Sequence, residues 1–486
     1  MGTEIKKKKQ TNLNYQIADK RENGITLIAL VVTIVVLLIL AGITISLVFS
    51  ENGIIAKARE AAEKTNQSAI NEQEQMNEVV GYLDNMLNEI GGSGGESTPP
   101  ESILPSDGSY NASKGVNTPK LGSGMTAIKW NGSSWIETTG SDTDWYDYTV
   151  KKWANAKTSD GSMWIWIPRY AYSITSGYHS SSTGNIEIEF MKGLTNETST
   201  GRTSFDNVSG QGKWNIHPAF NYGQTVSGLW VAKFEASPEG ATTNTSNSEY
   251  NGTGKKLQVK PGVSSWRSIT ISNIYDICKN YNSALNSHMM KNDEWGAVAY
   301  LSKSKYGKQN EEVWINNSSS YITGSAGNSA SASTDTGTTN DYTSTQGVKA
   351  STTGNVYGVY DMSGGAWEYV AGYINNGNSS LSNGQSLVNG DAKTKNVYSK
   401  ASTDNATNNY NANSSKYGDA VYETSTRGSG STSWYGDYSY FPNESYPFFY
   451  LGGNYSNGTL VGVFCFGGNV GGNSISYSFR PVLVTL

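Results

Sequence analysis

Every one of the thirteen tryptophans lies beyond residue 125. Tryptophan brings more apolar surface to a core than other side chains, so the main core must be built from residues beyond that point. The first quarter of the chain is then a different kind of object. At 486 residues the chain is long enough for a large core and more than one module. Its net charge of −5 gives no basic footprint and excludes a nucleic-acid partner. Gly, Ser, Asn and Thr dominate the polar residues, which suits a loop-rich extracellular protein. The two cysteines, Cys278 and Cys465, stand 187 positions apart and make neither a disulfide scaffold nor a zinc site. Cys465 sits in an apolar run and reads as a small buried thiol. His179, His217 and His288 lack metal-ligand spacing, and no metal is expected.

Residues 1–24 are polar and basic, with Lys6 to Lys9 and then Lys20-Arg21. An apolar run from Ile25 to Phe49 comes next, broken only by Thr26, Thr33, Gly42, Thr44 and Ser46. At about 1.5 Å per residue it is long enough to span a bilayer once. The basic side should stay in the cytoplasm and the rest should face out, giving a single-pass cell-membrane protein. From Ile54 to about Ile90 strong helix formers carry apolar positions at helical spacing, including Ile70, Met76, Val79, Val80, Leu83, Met86 and Leu87.

A basic leader, Gly24, the segment Ile25-Thr26-Leu27-Ile28-Ala29-Leu30, an apolar helix and an amphipathic extension together resemble type IV prepilins and pseudopilins. The resemblance covers roughly residues 1–90. It implies cleavage between Gly24 and Ile25 by a prepilin peptidase. The fifth mature residue in that family is usually Glu, and here it is Ala29. A lone buried charge in the bilayer is costly, so its absence suits a chain that is not packed into a fibre. A plain uncleaved signal anchor is the alternative reading.

Residues 91–125 form a Gly/Ser/Pro-rich linker, flexible at Gly91 to Gly95 and stiffer at Pro99-Pro100. The body occupies 126–486. Ser162 to Tyr170 reads as a strand stopped by Pro168, Asn185 to Phe190 as a strand of period two, and Leu229 to Glu235 as a third. Glu187 and Glu189 fall on one face of their strand and read as solvated surface rather than a catalytic pair. Ser268 to Leu285 and Asn292 to Leu301 have helical spacing, with Asn292 or Asp293 as the cap of the second. Residues 317–350 are of low complexity and read as a surface insert. The pattern is α+β, with few helices, short strands and much irregular chain.

The most specific internal segment is Asn355-Val356-Tyr357-Gly358-Val359-Tyr360-Asp361-Met362-Ser363-Gly364-Gly365-Ala366-Trp367-Glu368-Tyr369. With Trp230 to Glu235, Asp293 to Leu301, Gly452 to Tyr455 and Ser478 to Pro481, it resembles the formylglycine-generating-enzyme branch of the C-type-lectin fold. The resemblance spans about residues 128–486 and implies a C-type-lectin-like domain. That family's activity rests on a pair of cysteines near the C-terminus. Only Cys465 lies there, so the activity is not expected and no catalytic residue is assigned. Asp361, Trp367, Glu368 and Arg480 are then structural: Trp367 packs the core, and the charged groups satisfy loop backbone or one another. No cofactor is expected. A calcium ion on Asp361 or Glu368 stays open, although no dense acidic loop accompanies them.

The end of the chain alternates apolar strands, Gly462 to Phe466 and Phe479 to Val484, with loops of Gly, Asn, Ser and Tyr at 452–458 and 467–477. Such loops held between core strands compose a recognition surface. They also resemble the variable proteins of diversity-generating retroelements, whose C-type-lectin-like domain carries hypervariable positions near its C-terminus. Within 467–477 every residue is one that an asparagine codon reaches by changing its adenines. The resemblance implies a variable region at 450–477. The ligand contacts expected there are Tyr450, Leu451, Leu460, Val461, Gly467, Asn469, Val470, Asn473, Ser474, Ile475, Ser476 and Tyr477. The ligand would be an extracellular protein or glycan. The expectation is a membrane-anchored, surface-displayed receptor or adhesin that is not an enzyme. The alternative is a minor pilin or pseudopilin of a secretion or pilus-like system, and filling of the core beneath the loops is the other reading of those apolar residues.

Overall fold

The computed structural model describes residues 106–243, 254–332, 339–377 and 379–486. The leader with its Gly24-Ile25 junction, the apolar run, the helical extension and the start of the linker lie outside the described residues. Among the described residues no helix is long and apolar enough to cross a membrane.

The body is α+β and mostly sheet. One sheet is antiparallel throughout, in the order His288–Met289, Pro481–Leu483, Gly228–Ala232, Met163–Pro168, Asn155–Thr158, Met125–Trp130 and Trp135–Glu137. Its middle strands read Met163-Trp-Ile-Trp-Ile-Pro168 and Gly228-Leu-Trp-Val-Ala232, apolar on both faces, and both are fully buried. Pro168 ends its strand as expected, because it has no N–H to continue the ladder. A second sheet is mixed. Trp367–Asn375 pairs in parallel with Asn396–Ser399 and with Tyr477–Phe479, and antiparallel with Phe448–Leu451. Phe448–Leu451 in turn pairs with Phe466–Asn469. A third, three-stranded sheet joins Asn185–Phe190, Tyr170–Ser176 and Asn215–Ile216. Ile186, Ile188 and Phe190 alternate inward there as period two requires. Glu187 faces solvent, while Glu189 is half-buried and ion-pairs with Arg202 at 3.0 Å.

Two longer helices flank the sheets. Ile271–Tyr281 is capped by the Thr270 hydroxyl, which accepts from Asn273 N. Asn292–Lys303 is buried along its whole length, with Trp295 fully enclosed. Its start differs from expectation. The Glu294 carboxylate reaches back to accept the Lys291 N–H at 2.8 Å. Asn292 is buried inside the helix, and Asp293 exchanges hydrogen bonds with Asn396 on the neighbouring edge strand. A glutamate at the third helical position accepts the N–H of the residue that precedes the helix, one half of a capping box.

Residues 317–327 depart from the expected surface insert. Asn317, Ser318, Thr323, Ser325 and Ala326 are buried, and Gly324 N donates to both oxygens of Asp361. Low complexity reflects small residues here, and small residues let the backbone pack tightly. Among the described residues of the insert, Ser319 and Ser320 are exposed at a turn, and exposure resumes at Asn328.

The two large sheets meet at Arg480. Tyr477–Phe479 belongs to the second sheet and Pro481–Leu483 to the first, so the chain changes sheets at this one residue. Its guanidinium is wholly buried. It forks onto Glu368 at 2.6 and 3.1 Å and donates to the carbonyls of Ala232 and Tyr360. This junction fixes where the terminal loops emerge.

Candidate functional site

The strand expected over Gly462 to Phe466 begins only at Phe466. The preceding residues are captured by Asp437: its carboxylate accepts the Phe464 N–H at 3.1 Å and lies against Gly462, where a Cβ would come within 2.2 Å of it. Gly467, Gly468 and Asn469, expected in a loop, instead face Tyr450, Phe449 and Phe448 across the ladder. Gly467 must be glycine, since the Tyr450 ring occupies the space of its side chain. The true terminal loops are therefore 452–465 and 470–476.

The second of these is held by its carbonyls. Asn383 Nδ2 donates to Val470 O at 3.0 Å, and Ile271 N to Gly471 O at 3.0 Å. The Tyr369 hydroxyl lies 3.1 Å from Gly472 O, and Ser268 N donates to Ser474 O at 2.8 Å. Arg267 Nη1 donates to Ile475 O at 2.8 Å, and Trp367 N to Ser476 O at 2.9 Å. Six of the seven loop carbonyls are thus gripped, and every donor lies outside the loop. Ser268 adopts φ +57°, a conformation costing about 1 kcal/mol, in the turn that presents its N–H to the loop. The loop side chains take little part. Val470 is 40% and Ile475 59% exposed, and Asn473 is also exposed.

The other loop turns through Gly458–Leu460 and leaves Leu460 37% exposed. Tyr455 N donates to Gly365 O at 2.9 Å. The two loops therefore flank Gly365 to Trp367. A second tie runs between them: the Arg267 guanidinium lies 4.0 Å over the Tyr321 ring, which meets Tyr455 edge to face at 5.0 Å.

Beneath the loops lies an aromatic cluster. Trp367 packs against Tyr450 at 5.2 Å and Tyr477 at 5.0 Å, and Tyr477 stacks on Tyr369 at 4.6 Å. Tyr477 is fixed further by Asn469 Nδ2, which donates to its hydroxyl at 2.8 Å. Burial pushes the Tyr477 hydroxyl well above its ordinary value.

The twelve expected contacts thus separate into two groups. Leu460, Val470, Asn473 and Ile475 are exposed, with Ser474, Ser476 and Asn469 half-buried beside them. Tyr450, Leu451, Val461, Gly467 and Tyr477 are buried. Tyr450, Leu451 and Gly467 are strand residues, Tyr477 begins one, and Val461 packs against Gly453, so these five support the loops rather than display from them. Trp367 departs from expectation in the opposite sense. It is half-buried at the loop edge, whereas Trp295 fills the core position. Arg267, Tyr321, Tyr369 and Tyr455 join the site without being expected from sequence. Of these only Tyr455, inside the Gly452 to Gly458 loop, carries a local signal.

Asp361, Glu368 and Arg480 are buried and hydrogen-bonded within the fold. Asp361 adopts φ +61° and accepts from Gly324 N, Glu235 N and Asn316 Nδ2. Burial pushes the Glu368 carboxyl up to about 7 against the pull of Arg480. Burial, with Asp361 and Glu368 close by, also raises Glu235, whose carboxylate accepts the Ala366 N–H. Both acids considered for calcium are thus engaged within the fold. Among the described residues no group of three or more His, Cys, Asp or Glu is placed to hold a metal ion. Cys278 and Cys465 are buried and unpaired with each other, and burial raises both thiols.

No protein-family model matches the sequence, and no curated protein matches it either.

Proposed function

We propose that the body is a C-type-lectin-like domain that displays a ligand-binding tip, and that the chain is a membrane-anchored variable protein of the diversity-generating-retroelement type. The observation that carries this reading is the grip on the carbonyls of residues 470–476. A loop held through its main chain by donors elsewhere keeps its path when its side chains change. Val470, Asn473 and Ile475 are then free to vary, and Leu460 joins them from the neighbouring loop. Recognition is non-covalent: exposed aliphatic groups bury area on a partner, while Asn and Ser adapt their hydrogen bonds. The pilin-like segment, after processing at Gly24, would hold the body at the outer face of the cell membrane.

Deep sequencing of codons 126–486 of the gene across one population tests this. Substitutions should concentrate at codons 460, 470 and 473–476, should arise at template adenines, and should spare 267–271, 367–369 and 480. Substitutions spread evenly through 126–486 would overturn the reading.

A further inference from the structure

Resting on that reading, we propose that Trp367 is a constant contact of the tip, and that the partner is a protein that lays an uncharged, apolar segment across Trp367 and the side chains at 460, 470 and 475. Trp367 is placed by framework, since its N–H holds Ser476 O and its ring leans on Tyr450 and Tyr477. It is half-buried between the two loops. A large, rigid aromatic group that is partly exposed beside such loops is the residue type on which binding energy concentrates.

Charge selects the partner. Residues 445–479 contain no Asp, Glu, Lys or Arg. Arg267, the cation that holds the loop, is buried, bonded to Ile475 O and laid on Tyr321. A face without charge neither steers nor rewards a charged ligand. Sugars fit poorly for a separate reason. Their many hydroxyls need polar partners, yet the loop carbonyls at 470–472 and 474–476 already accept framework donors and Leu460, Val470 and Ile475 offer none, which leaves only scattered groups such as Asn473, Ser456 and Thr459. An apolar protein segment makes that demand only through its main chain, which its own secondary structure can satisfy.

The test pans a random dodecapeptide phage library on the whole chain in detergent, then measures the selected peptides on wild type, Val470→Ser, Ile475→Ser and Trp367→Ala. Peptides that lose binding in Val470→Ser or Ile475→Ser should be uncharged and apolar. Their affinity should change less than about twofold between about 50 and about 500 mM NaCl. All of them should weaken about tenfold or more in Trp367→Ala. Because Trp367→Ala removes packing beneath the loops, a second measurement runs on otherwise wild-type protein carrying 5-fluorotryptophan. The fluorine resonance assigned by its absence in Trp367→Phe should shift on adding peptide. Tip-dependent peptides that ignore Trp367→Ala and leave that resonance unmoved would overturn this inference alone. So would charged, salt-sensitive peptides, or uncharged trisaccharides that shift the resonance where peptides do not. Absence of any peptide sensitive to Val470→Ser or Ile475→Ser would overturn the underlying reading of the tip.

Discussion

Replacing Val470, Asn473 and Ile475 together with Ser, Tyr and Ser should cost less stability than the single change Arg267→Leu. Fully burying a valine or isoleucine side chain is worth about 1.5–3 kcal/mol. Val470 and Ile475 keep 40% and 59% of their surface in water, so each forfeits about 1 kcal/mol when shortened. Asn473 is exposed, and changing it should fall within about 0.5 kcal/mol. The triple change therefore sums to about 2 kcal/mol, an upper value because the unfolded chain already hides part of this surface. Arg267→Leu removes a charge-assisted hydrogen bond to Ile475 O and a guanidinium lying 4.0 Å over Tyr321. These are worth about 1.5–3 and about 0.5–2 kcal/mol. The loss is then about 3 kcal/mol, with the Ile475 carbonyl left without that donor. Urea unfolding of the whole chain, monitored by tryptophan fluorescence, reads the difference as a shift in midpoint at constant slope. A triple variant that falls by about 4 kcal/mol while Arg267→Leu stays near wild type would refute the claim that the main chain, not the side chains, specifies this loop.

Three further outcomes are expected. Glu423 is buried with the hydroxyls of Tyr172 and Tyr300 and the Gly418 N–H on one oxygen, and burial raises its carboxyl to about 7. Because the folded state keeps a proton that the unfolded state loses near pH 4.5, about 3 kcal/mol of stability present below that pH should disappear as pH rises through 7, and Glu423→Gln should remove its share of the slope in urea midpoints taken from pH 4.5 to 8. Glu368 and Glu312, also raised to about 7, contribute to the remainder. Glu368→Gln or Arg480→Met alone should cost about 3–5 kcal/mol by leaving one buried charge without its partner, whereas the double change should cost less than the sum of the two, as a double-mutant cycle would read. Cleavage after Gly24 should give a mature chain beginning at Ile25 in intact-mass measurements on membranes, and Gly24→Leu should leave the chain starting at Met1.

The parts of the fold legible in sequence are those whose cause is local. Met163 to Pro168 announces itself by an apolar run and a proline, and Asn185 to Phe190 by alternation. The turn at Asp361 to Gly365, which the sequence pattern does not single out, also has a local cause: Asp361, Gly364 and Gly365 all take positive φ, and side chains at the two glycines would strike Asn316 and Glu235. Where the cause is distant, sequence misleads. Glu294, not Asn292, bonds at the helix start because it sits at the third helical position, in reach of the Lys291 N–H. Gly462 to Cys465 has strand composition, yet Asp437, 27 residues before Phe464, binds that backbone and delays the strand.

The candidate site divides along the same line. Its loop composition was legible, because Gly, Asn and Ser mark turns wherever they occur. Its exposed aliphatics were legible as residues that nothing local requires. What makes the loop rigid was not: Arg267 reaches Ile475 across 208 positions and Asn383 reaches Val470 across 87. Neither donor differs in type from residues that hold nothing. A loop stiffened by its own side chains would change shape whenever they changed. Tyr369, Arg267 and Asn383 stand outside residues 470–476, so side-chain substitutions within that stretch should leave their hydrogen bonds in place. The burial of Tyr450 and Tyr477 extends the same logic downward. They give the loop a floor that variation at the surface does not touch, and Trp367 is the part of that floor a partner can reach.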